Sequence, residues 1–418
     1  MIRSSGFLWA ILTAGVVTPL LPAATLSSLL REAESRNPDI AAALRGWQAA
    51  AQVPSQVRVL PDPQVSLQEF SVGSPRPFAG YSNSNFAYIG VEVSQEIPYP
   101  GKLSLRAEAA QRDAAMSRAQ YEAARRSVFL QVEECFFQIF YLQKTLQLIQ
   151  RNQTVLRQIV EISQSRYSLG QGTQQEVLKA QLQSTELLSE LAHHRELLSR
   201  QQALMNKLLN RSGGAEPIEA DELTETPLTV SSEELLASVR KQNPEILNAQ
   251  EAVNKKSLLL ELARKDRYPD FSVQYSWQHT ADQFRDYHML TFSARLPIYR
   301  RRKLDPEITQ ATEGLNQSRR EYESSVQQAY FDVRDQYIAA TTASELLKIY
   351  REGTIPQALA AFRAGLASYQ AGTQNIAPVL ESFVDSFRLD EAYWKILADH
   401  ETALVRLEEI TGVAIRQD

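Results

Sequence analysis

The sequence predicts a mainly α fold with a smaller β component, built from a helix, strand, strand and helical hairpin unit that occurs twice. Three observations support this. A heptad apolar repeat runs through residues 128–149, two stretches of alternating polarity occur in each half, and the same order of local signals appears in both halves. We therefore expect long paired helices and a limited number of strands.

Residues 102–169 are predicted to form one continuous helix, because no Gly or Pro interrupts them. At ~1.5 Å per residue this helix would be on the order of 100 Å long, which no compact domain accommodates. The chain then turns at Gly170 and restarts at Thr173, where Glu176 completes a capping-box pattern. The element is an antiparallel hairpin whose seam consists of Val128, Val132, Cys135, Ile139, Leu142, Leu146 and Ile149.

The second half repeats the signals of the first. Asn37-Pro38-Asp39-Ile40 is matched by Asn243-Pro244-Glu245-Ile246, and both patterns are typical of a helix start. The first of these helices is expected to run towards Val59. The second hairpin is predicted to begin at Asp305-Pro306 and to be broken once, at residues 353–356.

The predicted organisation follows from these signals. Residues 1–24 are a signal peptide, because a charged start, an apolar run and Pro22-Ala23-Ala24 follow one another. The remaining segments are a first unit at 25–210 (strands about 63–72 and 86–97, hairpin 102–210), a linker at 211–232, and a second unit at 233–415 (strands about 270–279 and 287–296, hairpin 305–412).

Composition excludes several classes of protein. The 44 basic and 49 acidic residues give a net charge of -5, which provides no general basic field for nucleic acid. Cys135 is the single cysteine, so it forms no internal disulfide, and it lies too far from the N-terminus for lipidation. Phosphate-loop, zinc-protease and nucleophile-elbow motifs are absent, and His193-His194 cannot face one point. We therefore expect no enzyme, no cofactor and no metal site.

The alternating stretches predict strands with one apolar and one polar face. Phe271, Val273, Tyr275 and Trp277 alternate with polar residues, and each stretch has the length of a tilted membrane strand. A soluble antiparallel sheet is the alternative. Four strands cannot close a barrel in lipid, so several chains would have to share one. Three copies would supply ~12 strands, and two or four copies also satisfy this argument.

With these features together, the chain resembles the TolC-type outer-membrane efflux factor family over nearly all of its mature length. Residues 95–102 (QEIPYPGK) are most similar to the branch that includes heavy-metal efflux channels. The resemblance implies a homotrimer with a 12-stranded barrel in the lipid of the cell outer membrane. It also implies a periplasmic α-helical coiled-coil tunnel, a periplasmic adaptor and an inner-membrane pump as partners, and no enzymatic activity.

The resemblance also implies site residues. In the family a tyrosine, an arginine and aspartates close the periplasmic end, and Tyr369, Glu381 and Glu176 match the tyrosine and two acidic positions. Gln374 replaces the arginine and Pro378 replaces another acid, so the family's salt bridge is not expected here. The adaptor-docking positions lie at the two hairpin tips, which share a Tyr-x-x-Gly pattern 202 residues apart: Tyr167, Gly170, Thr173, Tyr369, Gly372 and Asn375.

Other interpretations remain open at this level. Glu176 is explained equally well as part of a helix cap. The basic run at 300–303 fits either contact with lipid phosphate or a solvated surface. Export of polypeptides is an alternative function for the tunnel, and a secreted coiled-coil scaffold is a weaker one. The scaffold explains the heptads but not the amphipathic strands.

Overall fold

The computed structural model describes residues 25–78, 80, 84, 86–280 and 285–416, so the predicted signal peptide lies outside the described residues. The chain is mainly helical with one small antiparallel sheet. In order, the elements are α1 (Leu26–Arg36), α2 (Pro38–Ala50), α3 (Val53–Arg58), β1 (Gln64–Phe70), β2 (Tyr88–Ile97), α4 (Lys102–Ser168), α5 (Gln174–Leu208), α6 (Ser232–Gln242), α7 (Pro244–Lys265), β3 (Asp270–His279), β4 (Tyr287–Arg295), α8 (Asp305–Ile349), α9 (Ile355–Gln370) and α10 (Ala377–Thr411).

Two buried asparagines fix the start of the helices that precede the strands. The Asn37 side chain accepts hydrogen bonds from the backbone of the first turn of α2 and donates to the Leu208 carbonyl, 2.9 Å away, at the end of α5. Asn243 caps α7 in the same way and donates to the Ile410 carbonyl of α10 at 3.1 Å. Each cap therefore also ties a short helix to the end of a long one.

The long helices pack as two hairpins. α4 is continuous for 67 residues and returns through α5, while α8 and α9 return through α10. Apolar side chains of α4, α5, α9 and α10 form a shared cluster near the tips, and it includes Ile159, Leu187, Phe362 and Val379. The length of α4 follows from its uninterrupted apolar seam, because packing along that seam offsets the entropic cost of ordering the helix.

Two expectations about helix continuity are wrong. The predicted break at 353–356 is instead a π-helical turn at Tyr350–Thr354 that leads directly into α9. Pro356 is tolerated there because the wider turn already disrupts the regular hydrogen bonds to the preceding carbonyls. In the first half, the helix expected to run towards Val59 is divided into α2 and α3 at Ala51 and Gln52.

The sheet has the order β1-β2-β3-β4, and every neighbouring pair is antiparallel. The β2–β3 pair joins the two halves of the chain, with Val91 opposite Trp277 and Ile97 opposite Phe271. Residues opposite one another share a face, so one side of the sheet is apolar and the other carries Ser, Gln and Glu. In the described part of the chain, β1 and β4 are the sheet edges.

The segment between the halves runs across the long helices. The Thr226 backbone N–H and hydroxyl donate to the buried Glu401 carboxylate at 2.8 and 2.9 Å. The two ring nitrogens of His400 lie 3.0 Å from the Ala340 carbonyl and 2.9 Å from the Thr226 carbonyl. Among the described residues, the helices lack any stretch that is both long and apolar enough to cross a membrane.

Candidate functional site

The two hairpin tips have the same backbone geometry. Gly170 and Gly372 adopt left-handed conformations with φ of 70° and 76°. In each tip the glycine N–H bonds to the carbonyl of the tyrosine three residues earlier at 3.0 Å, and the next N–H bonds to the carbonyl five residues earlier. This is the Schellman motif, which explains the Tyr-x-x-Gly spacing because glycine adopts the left-handed region without steric cost.

The two tyrosines of these motifs have different surroundings. Tyr167 is 50% exposed at its tip, whereas Tyr369 is fully buried between the hairpins. The Tyr369 hydroxyl lies 3.1 Å from Ser163 Oγ on α4 and 3.3 Å from Glu176 Oε2 on α5. Tyr369 therefore links its own helix, α9, to both helices of the other hairpin.

Arg166 lies beside Tyr369 and was missed by the sequence analysis. Its Nη1 donates to the Tyr369 carbonyl at 2.7 Å, and its Nη2 donates to the Gln171 carbonyl at 3.0 Å. The guanidinium carbon also lies 4.8 Å from the centroid of the Tyr369 ring, within range of a cation–π contact. The cation at this site therefore comes from the other hairpin rather than from position 374, and it bonds to main-chain carbonyls.

Glu176 forms only half of the predicted capping box. The Thr173 hydroxyl accepts a weak hydrogen bond from the Glu176 backbone N–H at 3.4 Å. The Glu176 carboxylate accepts from Tyr369 and lies over Gly172, where an added Cβ would be 3.0 Å from Oε2. The carboxylate therefore contacts the other hairpin. It does not bond back to the Thr173 backbone, so the prediction of a reciprocal capping box is wrong.

The remaining predicted residues all lie in the described part of the chain and form no hydrogen bond with the Tyr369 side chain. Gln374 is half-buried in the second tip, and Glu381 is exposed on α10, one turn beyond Pro378. Pro378 occupies the first turn of α10, where a missing N–H has no helical partner to lose. The predicted docking positions Gly170, Thr173, Gly372 and Asn375 are all exposed.

Burial and charge determine the electrostatics of the site. Burial raises the pKa of the Tyr369 phenol, and the adjacent Glu176 carboxylate raises it further. The phenol therefore stays protonated and remains a hydrogen-bond donor across the physiological range. The Tyr369 hydroxyl lies between Ser163 and Glu176, and the Arg166 guanidinium lies against the Tyr369 ring. These contacts can hold the two hairpins together.

Among the described residues, no group of three or more His, Cys, Asp or Glu side chains is arranged to hold a metal ion. His194 forms polar contacts with its own helix and with α10. Its Nε2 lies 3.2 Å from Glu391 Oε1 on α10. The sequence gives no sign of this pairing, because Glu391 is 197 residues away along the chain.

The fold is a pair of long helical hairpins joined to a small antiparallel sheet, with matching turns at the two hairpin tips. The family model described as outer membrane efflux protein matches the chain twice, at residues 29–211 and 235–413. The chain belongs to this family and is an outer-membrane efflux channel. Members of the family are passive transport channels rather than enzymes.

Individual relatives are distant but cover nearly the whole chain. The cobalt-zinc-cadmium resistance protein CzcC of Cupriavidus metallidurans is 22% identical over 394 residues, which is 93% of this chain and 90% of the relative. The outer membrane protein TolC of Vibrio cholerae is 19% identical and covers 97% of this chain and 94% of its own. Among solved structures, the outer membrane protein VceC of Vibrio cholerae has a TM-score of 0.79 at 17% identity and covers 94% of this chain and 97% of its own.

Proposed function

We propose that three copies of this chain form the outer-membrane channel of a tripartite efflux system. Solutes would pass from an inner-membrane pump, through a periplasmic adaptor and the helical tunnel, to the exterior. The observation that carries the proposal is the four-stranded sheet with one apolar face and edges at β1 and β4. Pairing β4 of one copy with β1 of the next would complete a barrel of ~12 strands without an open edge in lipid.

The apolar face of the sheet supports a membrane position. Leu67 is 80% exposed and Phe292 is 73% exposed, which would be costly in water for so many neighbouring apolar side chains. Aromatic residues lie at both ends of the strands. Trp277 is on the apolar face, where the aromatic girdle of a membrane barrel lies, whereas Phe70, Tyr88 and Tyr287 are on the polar face. At one end are Tyr99, Tyr268 and Tyr299, and at the other are Phe70, Tyr88, Trp277 and Tyr287.

Exposed apolar side chains on the long helices support the assembly of several copies. Phe331, Ile338 and Ile349 on α8 are 63%, 63% and 56% exposed. Their spacing places them on the same side of the helix, so they form one exposed apolar surface. Leu178 and Leu182 form a second exposed apolar pair on α5. Leu178 and Leu182 lie close to the tips, whereas Phe331 and Ile338 lie far from them along α8, so the two surfaces are at different heights. We infer that each surface packs against a different part of a neighbouring copy and that together they close the tunnel wall.

The hairpin tips would form the periplasmic end of the tunnel. Exposed Gly170, Thr173, Gly372 and Asn375 are available to the adaptor, while the contacts of Tyr369 with Glu176 and Arg166 hold the tips of one chain together. We infer that this contact is the gate, and that Gln374 and Glu381 lie beside it. The name of the relative CzcC favours divalent metal cations as the solutes, and the efflux description of the family favours solutes over polypeptides.

Mass measurement and conductance of the detergent-extracted protein test this proposal. We expect a mass of three chains and a steady conductance in planar bilayers. Phe331→Glu with Ile338→Glu should give monomers, because the interface would bury two unpaired charges, whereas Phe331→Leu with Ile338→Leu should preserve the assembly. A stable monomer of the native sequence that does not insert into bilayers would overturn the proposal.

A further inference from the structure

The segment between β4 and α8 changes from apolar to basic over a few residues. Leu296 and Ile298 continue the alternation of the apolar face of β4 and are 65% and 71% exposed. Tyr299 follows and is 68% exposed. The next residues, 300–303, are three arginines and a lysine in a π-helical turn that ends at buried Leu304.

The four basic side chains differ from Lys102, Arg267 and Arg295, three cations near this end of the sheet that form ion pairs. Lys102 forms ion pairs with Asp266 and Asp270 at 3.0 and 2.9 Å. Arg267 is paired with Asp305, and Arg295 with Glu96. In the described part of the chain, by contrast, Arg300, Arg301, Arg302 and Lys303 are exposed and form no salt bridge.

The order of these residues matches the depth profile of a membrane leaflet. Apolar side chains suit the acyl region, tyrosines concentrate at the interface, and Arg or Lys side chains extend to the phosphate layer. Tyr99 and Tyr268 stack with ring centroids 4.5 Å apart at the same end of the sheet, so an aromatic band adjoins the basic turn. A π-helical turn spreads four consecutive side chains around its axis, and all four can therefore reach phosphate groups in the plane of the leaflet.

We propose that residues 300–303 bind the headgroups of anionic phospholipids in the periplasmic leaflet and hold the sheet at a fixed depth. This inference rests on the proposed function, because it requires the sheet to lie in a bilayer. The recognised chemistry is the phosphate of a lipid that carries net negative charge. Four exposed cations attract such a surface collectively, and the attraction falls within a Debye length.

Native mass spectrometry of the detergent-solubilised assembly provides the test. The protein is titrated with phosphatidylglycerol or with phosphatidylcholine of the same acyl chains, and retained lipid is counted. We expect a clear preference for phosphatidylglycerol that weakens as salt is added. Changing all four residues to Gln should reduce that preference by at least roughly tenfold, whereas Arg300→Lys, Arg301→Lys and Arg302→Lys together should retain most of it.

A matched control removes the same charge elsewhere. Arg195, Arg319, Lys348 and Arg363 are exposed on α5, α8 and α9, and changing all four to Gln should leave the lipid preference unchanged. An equal loss in this control would show that net charge alone decides binding and would overturn the inference. A second outcome would also overturn the inference. If the variant with residues 300–303 changed to Gln no longer formed a trimer in the absence of added lipid, these residues would be contacting a second copy rather than lipid.

Planar bilayer insertion of the native protein separates this inference from the function on which it rests. A native protein that assembles and conducts but shows no preference for phosphatidylglycerol contradicts only the lipid site. A native protein that neither assembles nor inserts contradicts both proposals.

Discussion

Arg166 contacts Tyr369 twice, through a hydrogen bond of 2.7 Å from its guanidinium to the main-chain carbonyl and through the face of the ring, 4.8 Å from the guanidinium carbon. The two residues belong to different hairpins, so this contact fastens one tip to the other. The hydrogen bond is charge-assisted and partly shielded from water, which makes it one of the stronger contacts in the tip region.

Arg166→Gln should loosen the tips. The substitution removes a charge-assisted hydrogen bond and a cation–π contact, for a combined loss of about 2 kcal/mol in the docking of the two hairpins. We expect a higher resting conductance in planar bilayers and faster hydrogen exchange in residues 366–376. Arg363→Gln, at an exposed position on α9, is the control and should change neither. Unaltered conductance and exchange in Arg166→Gln would show that this contact does not hold the two tips together.

Gly372→Ala and Gly170→Ala form a matched pair. Both residues have positive φ, so each substitution should cost about 1 kcal/mol of backbone strain. A Cβ at position 170 would meet open space, whereas a Cβ at position 372 would lie 3.3 Å from Arg166 Nη1. Thermal unfolding should show similar small losses for both, but only Gly372→Ala should raise the resting conductance. Equal conductance in the two variants would show that Arg166 adjusts without releasing Tyr369.

The sequence predicted those features that depend on local spacing. The 67-residue helix α4 follows from its heptads, and the tips follow from Tyr-x-x-Gly, because a Schellman turn is determined by a few consecutive residues. The contacts of Tyr369 with Ser163 and Arg166 were missed, because they join residues more than 200 positions apart. The π-helical turn at Tyr350–Thr354 was also missed, since Gly and Pro near a helix more often indicate a break.

His194 should make the packing of α5 on α10 dependent on pH. Its hydrogen bond with Glu391 raises the pKa of the imidazole above the ordinary value of 6.5 and lowers the pKa of the carboxyl below 4.5. Stability from His194 is fully present below 6.5 and is lost as pH rises through the raised pKa. Stability from Glu391 is present above 4.5 and is lost as pH falls through the lowered pKa.

The measurement is the free energy of unfolding at several pH values. Between about pH 6 and about pH 9 the native protein should lose on the order of 1 kcal/mol that His194→Gln does not lose. His193→Gln is the control, because His193 is 62% exposed and lies 3.9 Å from Glu196 on its own helix. An identical pH dependence in His194→Gln and the native protein would refute the contribution of this pair.

Glu176 and Glu381 should give the closed end of the tunnel its ion selectivity. Three copies would place six carboxylates around one axis, and like charges at close range attract cations. Glu176 is half-buried and accepts from Tyr369, whereas Glu381 is exposed, so Glu381 should interact more freely with ions in the tunnel. Arg166 partly offsets the Glu176 charge from within the same chain, because both side chains contact Tyr369.

Conductance measured with unequal salt on the two sides of a planar bilayer reports this selectivity. Glu381→Gln should lower the preference for cations and weaken block by divalent ions, and Glu176→Gln with Glu381→Gln should abolish most of it. In Glu176→Gln the side-chain amide oxygen can still accept the hydrogen bond from Tyr369, so the tips should remain docked. Any change in selectivity is then due to the lost charge. Glu345→Gln, exposed on α8, controls for a general loss of acid. Selectivity that persists in the double variant would place the narrowest charged ring elsewhere in the tunnel.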